Sequence, residues 1–202
     1  DGLGSFGYQW KREGADISGA TSSSYTLGQE DVGNAITIAI SYTDALGTAE
    51  SVSSVATAAV SNVNDTPTGT VTISGTATED QVLTAGNDLV DEDGLGSFGY
   101  QWKRGGDVIS GATASTHTLT QVDVGKAITA VVSYTDAQGT AESVTSVATD
   151  AVANVNDTPS GTVTISGTTT EGQVLTAGND LVDEDGLGSF GYQWKREGVE
   201  IS

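Results

Sequence analysis

Ten residues, Asp93-Gly-Leu-Gly-Ser-Phe-Gly-Tyr-Gln-Trp102, occur three times, at 1–10, 93–102 and 185–194. The spacing is 92 residues each time. A fixed period of this size means one structural unit copied in tandem, so every motif has to be read per copy. The 202 residues make two periods plus 18, and the last 18 residues nearly duplicate the first 18. The frame that follows is the latter part of one repeat at 1–61 (strands C to G), a complete repeat at 62–153, and the beginning of a third at 154–202 (strands A to C). The sequence is therefore expected to be a stretch of a longer array. Neither partial copy carries enough strands to close a core by itself, so each is expected to lean on the complete repeat or on another copy.

Within the complete repeat the apolar residues alternate. Thr70-Val-Thr-Ile-Ser74 reads as strand A and Gln81-Val-Leu-Thr-Ala85 as strand B. Phe98, Tyr100 and Trp102 fall on one face of strand C, because successive side chains of a strand point to opposite sides. Ile128, Ala130, Val132 and Tyr134 do the same on strand F, and strand G runs over about 141–152. No stretch carries a helical period. Seven short strands with Gly-rich turns in 92 residues predict an all-β fold, an antiparallel β-sandwich repeated in tandem. Trp102, with Leu119, Ile128, Val132 and Phe98 around it, is the expected core.

Twenty-seven acids face seven bases, a net charge of −20. Such a chain repels a phosphate backbone and an anionic lipid surface, so neither nucleic acid nor membrane insertion is expected. Cations are the natural partners. Without Cys there are no disulfides, thiolate metal sites or thiol nucleophiles. An extracellular domain without disulfides needs another staple, and a metal ion supplies one.

Three patterns carry no chemistry in this context. Gly94-x-Gly96-x-x-Gly99 matches the dinucleotide-binding pattern, but a strand follows where that fold requires a helix. It reads as a bend that lets the loop fold back over a sheet edge. His117 is the only His, and Tyr25 holds the same place in the first copy, so it reads as a strand residue. No Ser/His/Asp set recurs, and no enzyme is expected. Asn64-Asp-Thr66 and Asn156-Asp-Thr158 are formal glycosylation sequons in a Thr-rich chain.

The acids carry the signal. In a seven-strand sandwich the B–C and F–G loops return to the end at which the chain comes in, where the connector also lies. Asn62, Asn64, Asp65, Asp88, Asp91, Asp93 and Asp136 should therefore converge. Glu79 and Asp123 belong to the opposite end and should face the next connector, at Asn154, Asn156 and Asp157, with Asp180, Asp183 and Asp185 following in the next loop. Asp44 is the first copy's counterpart of Asp136. These positions recur in register (Asp1, Asp93, Asp185; Asp65, Asp157), whereas Asp16 and Asp80 are replaced by Val108 and Gly172 one period on. Crowded carboxylates cost free energy unless a cation neutralises them. Oxygen donors without His or Cys select a hard ion, and Ca²⁺ accepts that many mixed oxygens more readily than Mg²⁺.

The same residues carry a resemblance. Asn62-Val-Asn-Asp-Thr-Pro67 resembles the cadherin linker Asp-x-Asn-Asp-x-x-Pro, with Asn for the first Asp and Pro one place early. Asp91-Glu-Asp93 resembles the Asp-x-Asp of the following cadherin domain. Leu119-Thr-Gln-Val-Asp123-Val-Gly125 resembles the run before strand F of immunoglobulin-like domains. The unit is similar to the cadherin-like or immunoglobulin-like tandem repeats of giant bacterial adhesins exported by type I secretion. The resemblance implies Ca²⁺ shared between neighbouring repeats of one chain and an extracellular place, at a bacterial surface or secreted. It also implies a structural extender role in cell adhesion or biofilm formation. Two alternatives stay open: a self-assembling fibre or matrix subunit, in which other copies are partners, and a carbohydrate-binding module with Trp102 or Tyr100 as its platform.

Overall fold

The computed structural model describes residues 5–201. Asp1, the first copy of Asp93, lies outside the described residues. The chain is all-β. Its strands are β1 (Gly7–Arg12), β2 (Ala15–Asp16), β3 (Ile36–Thr43), β4 (Ala49–Ser53), β5 (Val71–Ser74), β6 (Val82–Asn87), β7 (Gly99–Arg104) and β8 (Asp107–Val108). They continue with β9 (Thr116–Thr118), β10 (Ile128–Thr135), β11 (Ala141–Thr145), β12 (Val163–Ser166), β13 (Thr176–Asn179), β14 (Lys195–Arg196) and β15 (Val199–Glu200). The only helical turns among the described residues are two single 3₁₀ turns, Gln29–Asp31 and Gln121–Asp123.

The first copy forms one sheet in the order β2-β1-β3-β4, and its ladders are antiparallel, with Trp10 opposite Ile38. The middle copy forms two sheets, β11-β10-β7-β8 and β5-β6-β9. The third contributes two antiparallel pairs, β12-β13 and β14-β15. By its contacts the chain divides into two compact units. One takes the residues up to Thr70 with Asn87–Gly99 and Val132–Val144; the other takes Val71–Gly86, Tyr100–Val131 and everything from Thr145 on. Each unit thus holds one connector together with the loops around it.

In the second unit alternation becomes burial. Leu83, Trp102, Leu119, Ile128 and Ala130 are fully buried, with Val71, Ala85 and Val152 nearly so. The indole nitrogen of Trp102 donates to the carbonyl of Ala114 at 2.9 Å, so the buried ring keeps its one polar group satisfied. Truncating a ring buried this completely costs about 3–5 kcal/mol. The Gly-rich block is explained by backbone proximity in the first unit. A Cβ on Gly96 would stand 2.0 Å from the carbonyl oxygen of Thr135, and Gly94 has φ +88°. Only glycines let this loop lie against β10.

Asp123 corrects the sequence reading. It does not turn outward to a connector. Its carboxylate is fully buried, where Oδ1 accepts from Arg104 Nε at 2.6 Å and Oδ2 from the Thr120 backbone and hydroxyl at 2.9 and 3.1 Å. Thr120 and Asp123 form a reciprocal cap on the 3₁₀ turn, and that cap points the acid inward. Burial opposes ionisation, but the hydrogen bonds and charge of Arg104 and the Thr120 donors outweigh it and hold the carboxyl below its ordinary value. Asp31 repeats the arrangement with Arg12.

The two copies differ at one partner. Tyr25 stacks on Trp10 with ring centres 5.8 Å apart and donates its hydroxyl to Asp31 at 2.9 Å. His117 stacks on Trp102 at 5.7 Å, but its Nε2 stays 3.5 Å from Asp123 and has no hydrogen-bond partner. His117→Tyr should therefore supply the missing donor and raise stability by about 1 kcal/mol in urea unfolding at neutral pH. A loss of stability would show that the two copies are not equivalent here. The depressed Asp123 pKa sets the sign of the pH effect. Its stabilisation is complete above the ordinary carboxylate value of 3.8 and is lost as the pH falls through the lower folded value. In acid titrations Asp123→Asn should flatten that decline.

Candidate metal centre at the connectors

The first unit gathers its acids around Asp93, whose side chain is 1% exposed. Oδ1 accepts from Gln29 Nε2 at 2.8 Å, and Oδ2 from the backbone amide of Asp65 in the connector at 2.8 Å. The Asp93 amide donates to Asp91 Oδ1 at 2.9 Å, and the Asp93 carbonyl accepts from the Ala137 amide at 3.1 Å. One residue thereby joins the 3₁₀ turn of the first copy, the connector, the acid loop and the turn after β10.

Asp91 is also buried. Its Oδ2 accepts from the Tyr134 hydroxyl at 2.5 Å. Burial, then the hydrogen bond to Asp91, hold that phenol far above its ordinary pKa, so it remains a donor throughout the physiological range. Phe98 packs edge-on against Tyr134, with ring centres 5.7 Å apart. Asp136 is 5% exposed. Its Oδ1 closes the turn by accepting from Gln138 and Thr140 amides at 2.9 and 2.8 Å, while its Oδ2 is buried with no partner. Asn62 Oδ1, in the connector, is likewise buried and unpartnered. Asn64 donates to Glu142 at 2.8 Å.

The second unit repeats part of this one period later. The Asp157 amide donates to Asp185 Oδ2 at 2.9 Å, and the Asp185 amide to Asp183 Oδ1 at 3.0 Å. Gln121 lies between three acceptors. In one orientation of its amide the nitrogen is 3.5 Å from Asp185 Oδ1; turned over, it donates to Glu79 at 2.8 and 3.0 Å and to Asn154 at 3.2 Å. Glu79 is 3% exposed and accepts from the Val155 amide of the connector at 3.1 Å. Carboxylate oxygens of Glu79, Asp157 and Glu184 lie within 4.8 Å of one another, a spacing that could hold a metal ion.

Other acids stand elsewhere. Asp88 Oδ1 accepts from the Thr70 backbone and hydroxyl at 2.6 and 3.0 Å, and the Thr70 amide is the main cause of its lowered pKa. Asp180 makes the same clasp with Thr162, whose hydroxyl is the main cause of its lowered pKa. Both fasten the backbone at the edge of a strand pair. Asp44 closes its turn by accepting from the Leu46 and Thr48 amides. Asn156 donates to the Asp157 carbonyl. Gln29, Gln121, Tyr134, Glu142 and Glu184 take part although the sequence reading does not single them out. All of them recur with the period, Gln29 as Gln121, and Tyr134, Glu142 and Glu184 repeating Tyr42, Glu50 and Glu92.

Tyr134→Phe leaves a buried carboxylate oxygen without its donor. It should destabilise by about 1–3 kcal/mol in chelator, measured by thermal or urea unfolding. A neutral effect would show that water reaches Asp91. No protein-family model matches the sequence, and no curated protein matches it.

Proposed function

We propose that the chain is a run of structural extender repeats, 92-residue β-sandwiches whose connectors are stiffened by Ca²⁺, in a bacterial surface adhesin that serves attachment or biofilm formation. The observation that carries this reading is Asp136 Oδ2, a carboxylate oxygen buried without a donor in the turn whose Ala137 amide binds the Asp93 carbonyl. In a chain of net charge −20, a carboxylate buried with one oxygen unanswered is costly unless a cation meets it. Asn62 Oδ1, in the connector of the same unit, is a second unanswered oxygen, and the Glu79–Asp157–Glu184 group offers three carboxylates at the other connector.

The two connectors complement each other in sequence terms. Glu79 and Gln121 precede the second connector by less than one period, and Asp136 and Tyr134 follow the first. An internal joint of an array would have both sets. Every donor is oxygen, which favours a hard divalent ion, and several donors of mixed charge suit Ca²⁺. Extracellular calcium modules bind with Kd of about 10⁻⁴ to 10⁻³ M. No donor set for catalysis recurs, and the reading is of a non-enzymatic structural protein outside the cell. The buried Trp102 has no face to offer a sugar, which removes one of the two platforms of the carbohydrate-binding alternative, while Tyr100 is half-buried.

The fibre alternative has one observation in its favour. Phe6, Ile38, Ile40, Tyr42 and Val52 line an open apolar groove of about 330 Å³ in the first copy. The strands β12 and β13 are mostly exposed, although their middle-copy counterparts β5 and β6 contribute Val71, Leu83 and Ala85 to the core. In a fibre, β12 and β13 of a second copy would fill that groove.

Thermal melts with Ca²⁺ and with chelator test the main reading. Free Ca²⁺ at about 100 times Kd adds about 2.7 kcal/mol per site, which for a domain of this size raises Tm by about 10 °C or more. Identical melts would overturn the calcium reading and leave the acids to their hydrogen bonds alone. Sedimentation of the same samples separates the alternatives: an extender stays monomeric, whereas a fibre grows with concentration.

A further inference from the structure

The proposed Ca²⁺ reading treats the connector as a joint that the ion assembles. The hydrogen bonds around Asp93 lead elsewhere. Both of its carboxylate oxygens already have donors, one from Gln29 on the preceding copy and one from the Asp65 amide in the connector. These partners lie 64 and 28 residues away in sequence, and none of the contacts needs an ion. The carboxylate is 1% exposed, so water does not compete for it. A charged acceptor in such surroundings makes hydrogen bonds stronger than neutral pairs make. The backbone of Asp93 is held too, by Asp91 on one side and the Ala137 amide on the other. The unanswered oxygens are those of Asp136 and Asn62.

We propose that Gln29 and Asp93 form a cation-independent latch that closes the joint between one repeat and the next, so that the ion tightens a joint already in place. This rests on the reading of the connector as a joint between repeats, and it divides the work among the acids. Asp93 is the latch, while Asp136 and Asn62 receive the ion. Gln serves where Glu would fail, because an amide can donate to the buried carboxylate and a second carboxylate would repel it. The residues recur one period later as Gln121 and Asp185, and the Asp157 amide repeats the bond of the Asp65 amide. There the Gln121 nitrogen has nearer acceptors in Glu79 and Asn154, at 2.8 and 3.2 Å, than in Asp185 at 3.5 Å, so the side-chain bond is seen in the first unit. The latch is thus made by two residue types and one backbone amide that the repeat copies in register.

Electron-electron distance measurement on the whole chain tests this. The sequence has no Cys, so spin labels at Ser51→Cys and Ser97→Cys, both exposed, report the joint without background. The samples are held in excess chelator. The unaltered joint should give one narrow distance peak, and Gln29→Ala should broaden it at least about twofold, since linked domains move relative to one another unless an interface holds them. Gln29→Glu should broaden it as well. A circular dichroism melt of each variant confirms that the sheets remain folded. A broad peak for the unaltered joint in chelator would overturn the latch, as would a Gln29→Ala peak as narrow as the original. Adding Ca²⁺ to the unaltered sample keeps the two proposals separate. No response to the ion would sink the calcium reading while the chelator result still decides the latch.

Discussion

A carboxylate taken out of water must be answered by donors or by a cation, and most of what is organised in this chain follows from that constraint. Asp31, Asp91, Asp93, Asp123 and Asp136 are all buried in a chain that carries twenty more negative than positive charges. The protein answers them in two ways. Asp31 and Asp123 are matched by Arg12 and Arg104 and by the amides of their own turns, and they belong to the packing beside Trp10 and Trp102. Asp91 and Asp93 are matched by Tyr134, Gln29 and the Asp65 amide, donors from distant parts of the chain. Because those donors come from separate segments, satisfying the charge also fixes how the segments meet. Asp136 is answered at one oxygen only.

The arrangement is economical in sequence. Two residues of the acid loop, Asp91 and Asp93, one connector amide and one Gln from the preceding copy tie the segments together. All of them recur with the 92-residue period, so each added repeat brings the parts for one more joint. Some positions outside this set drift between copies, as Asp16 and Val108 do. Exchange of Tyr25 for His117 keeps the stacking on Trp and gives up one hydrogen bond, which a packed core tolerates.

Much of this was legible in the residues. Alternation in Gly99–Arg104 and Ile128–Thr135 marks strands, because a pleated strand that buries one face must alternate. The expected strand topology put the acid loop, the connector and the turn at Asp136 at one end; Asp93 binds the Asp65 and Ala137 amides, while Asp88, expected with them, stands apart on Thr70. What was not legible depends on direction at the scale of a single side chain. Asp123 lies in a turn, where no period says which way a carboxylate faces, and its cap with Thr120 turns it inward. Asp88 and Asp180 follow a strand, and only the partner Thr70 or Thr162, just before the neighbouring strand, shows that they clasp an edge. Gln29 is an uncharged residue in a single 3₁₀ turn, and its partner is 64 residues away. Tyr134 continues the apolar face of its strand, so the alternation that marks it as core hides the role of its hydroxyl.

The central claim is that the carboxylate oxygen left over at Asp136 exists to hold a cation at the joint. A crystal structure of the chain grown with Ca²⁺, with anomalous scattering from a lanthanide substituted into the same crystals, tests it most directly. The account predicts an ion bound by Asp136 Oδ2 and Asn62 Oδ1 at about 2.3–2.6 Å, the range of calcium–oxygen bonds, with the Gln29–Asp93 hydrogen bond retained beside it. Asp136 Oδ2 paired with water or a side-chain donor, and no anomalous signal at the connector, would contradict it.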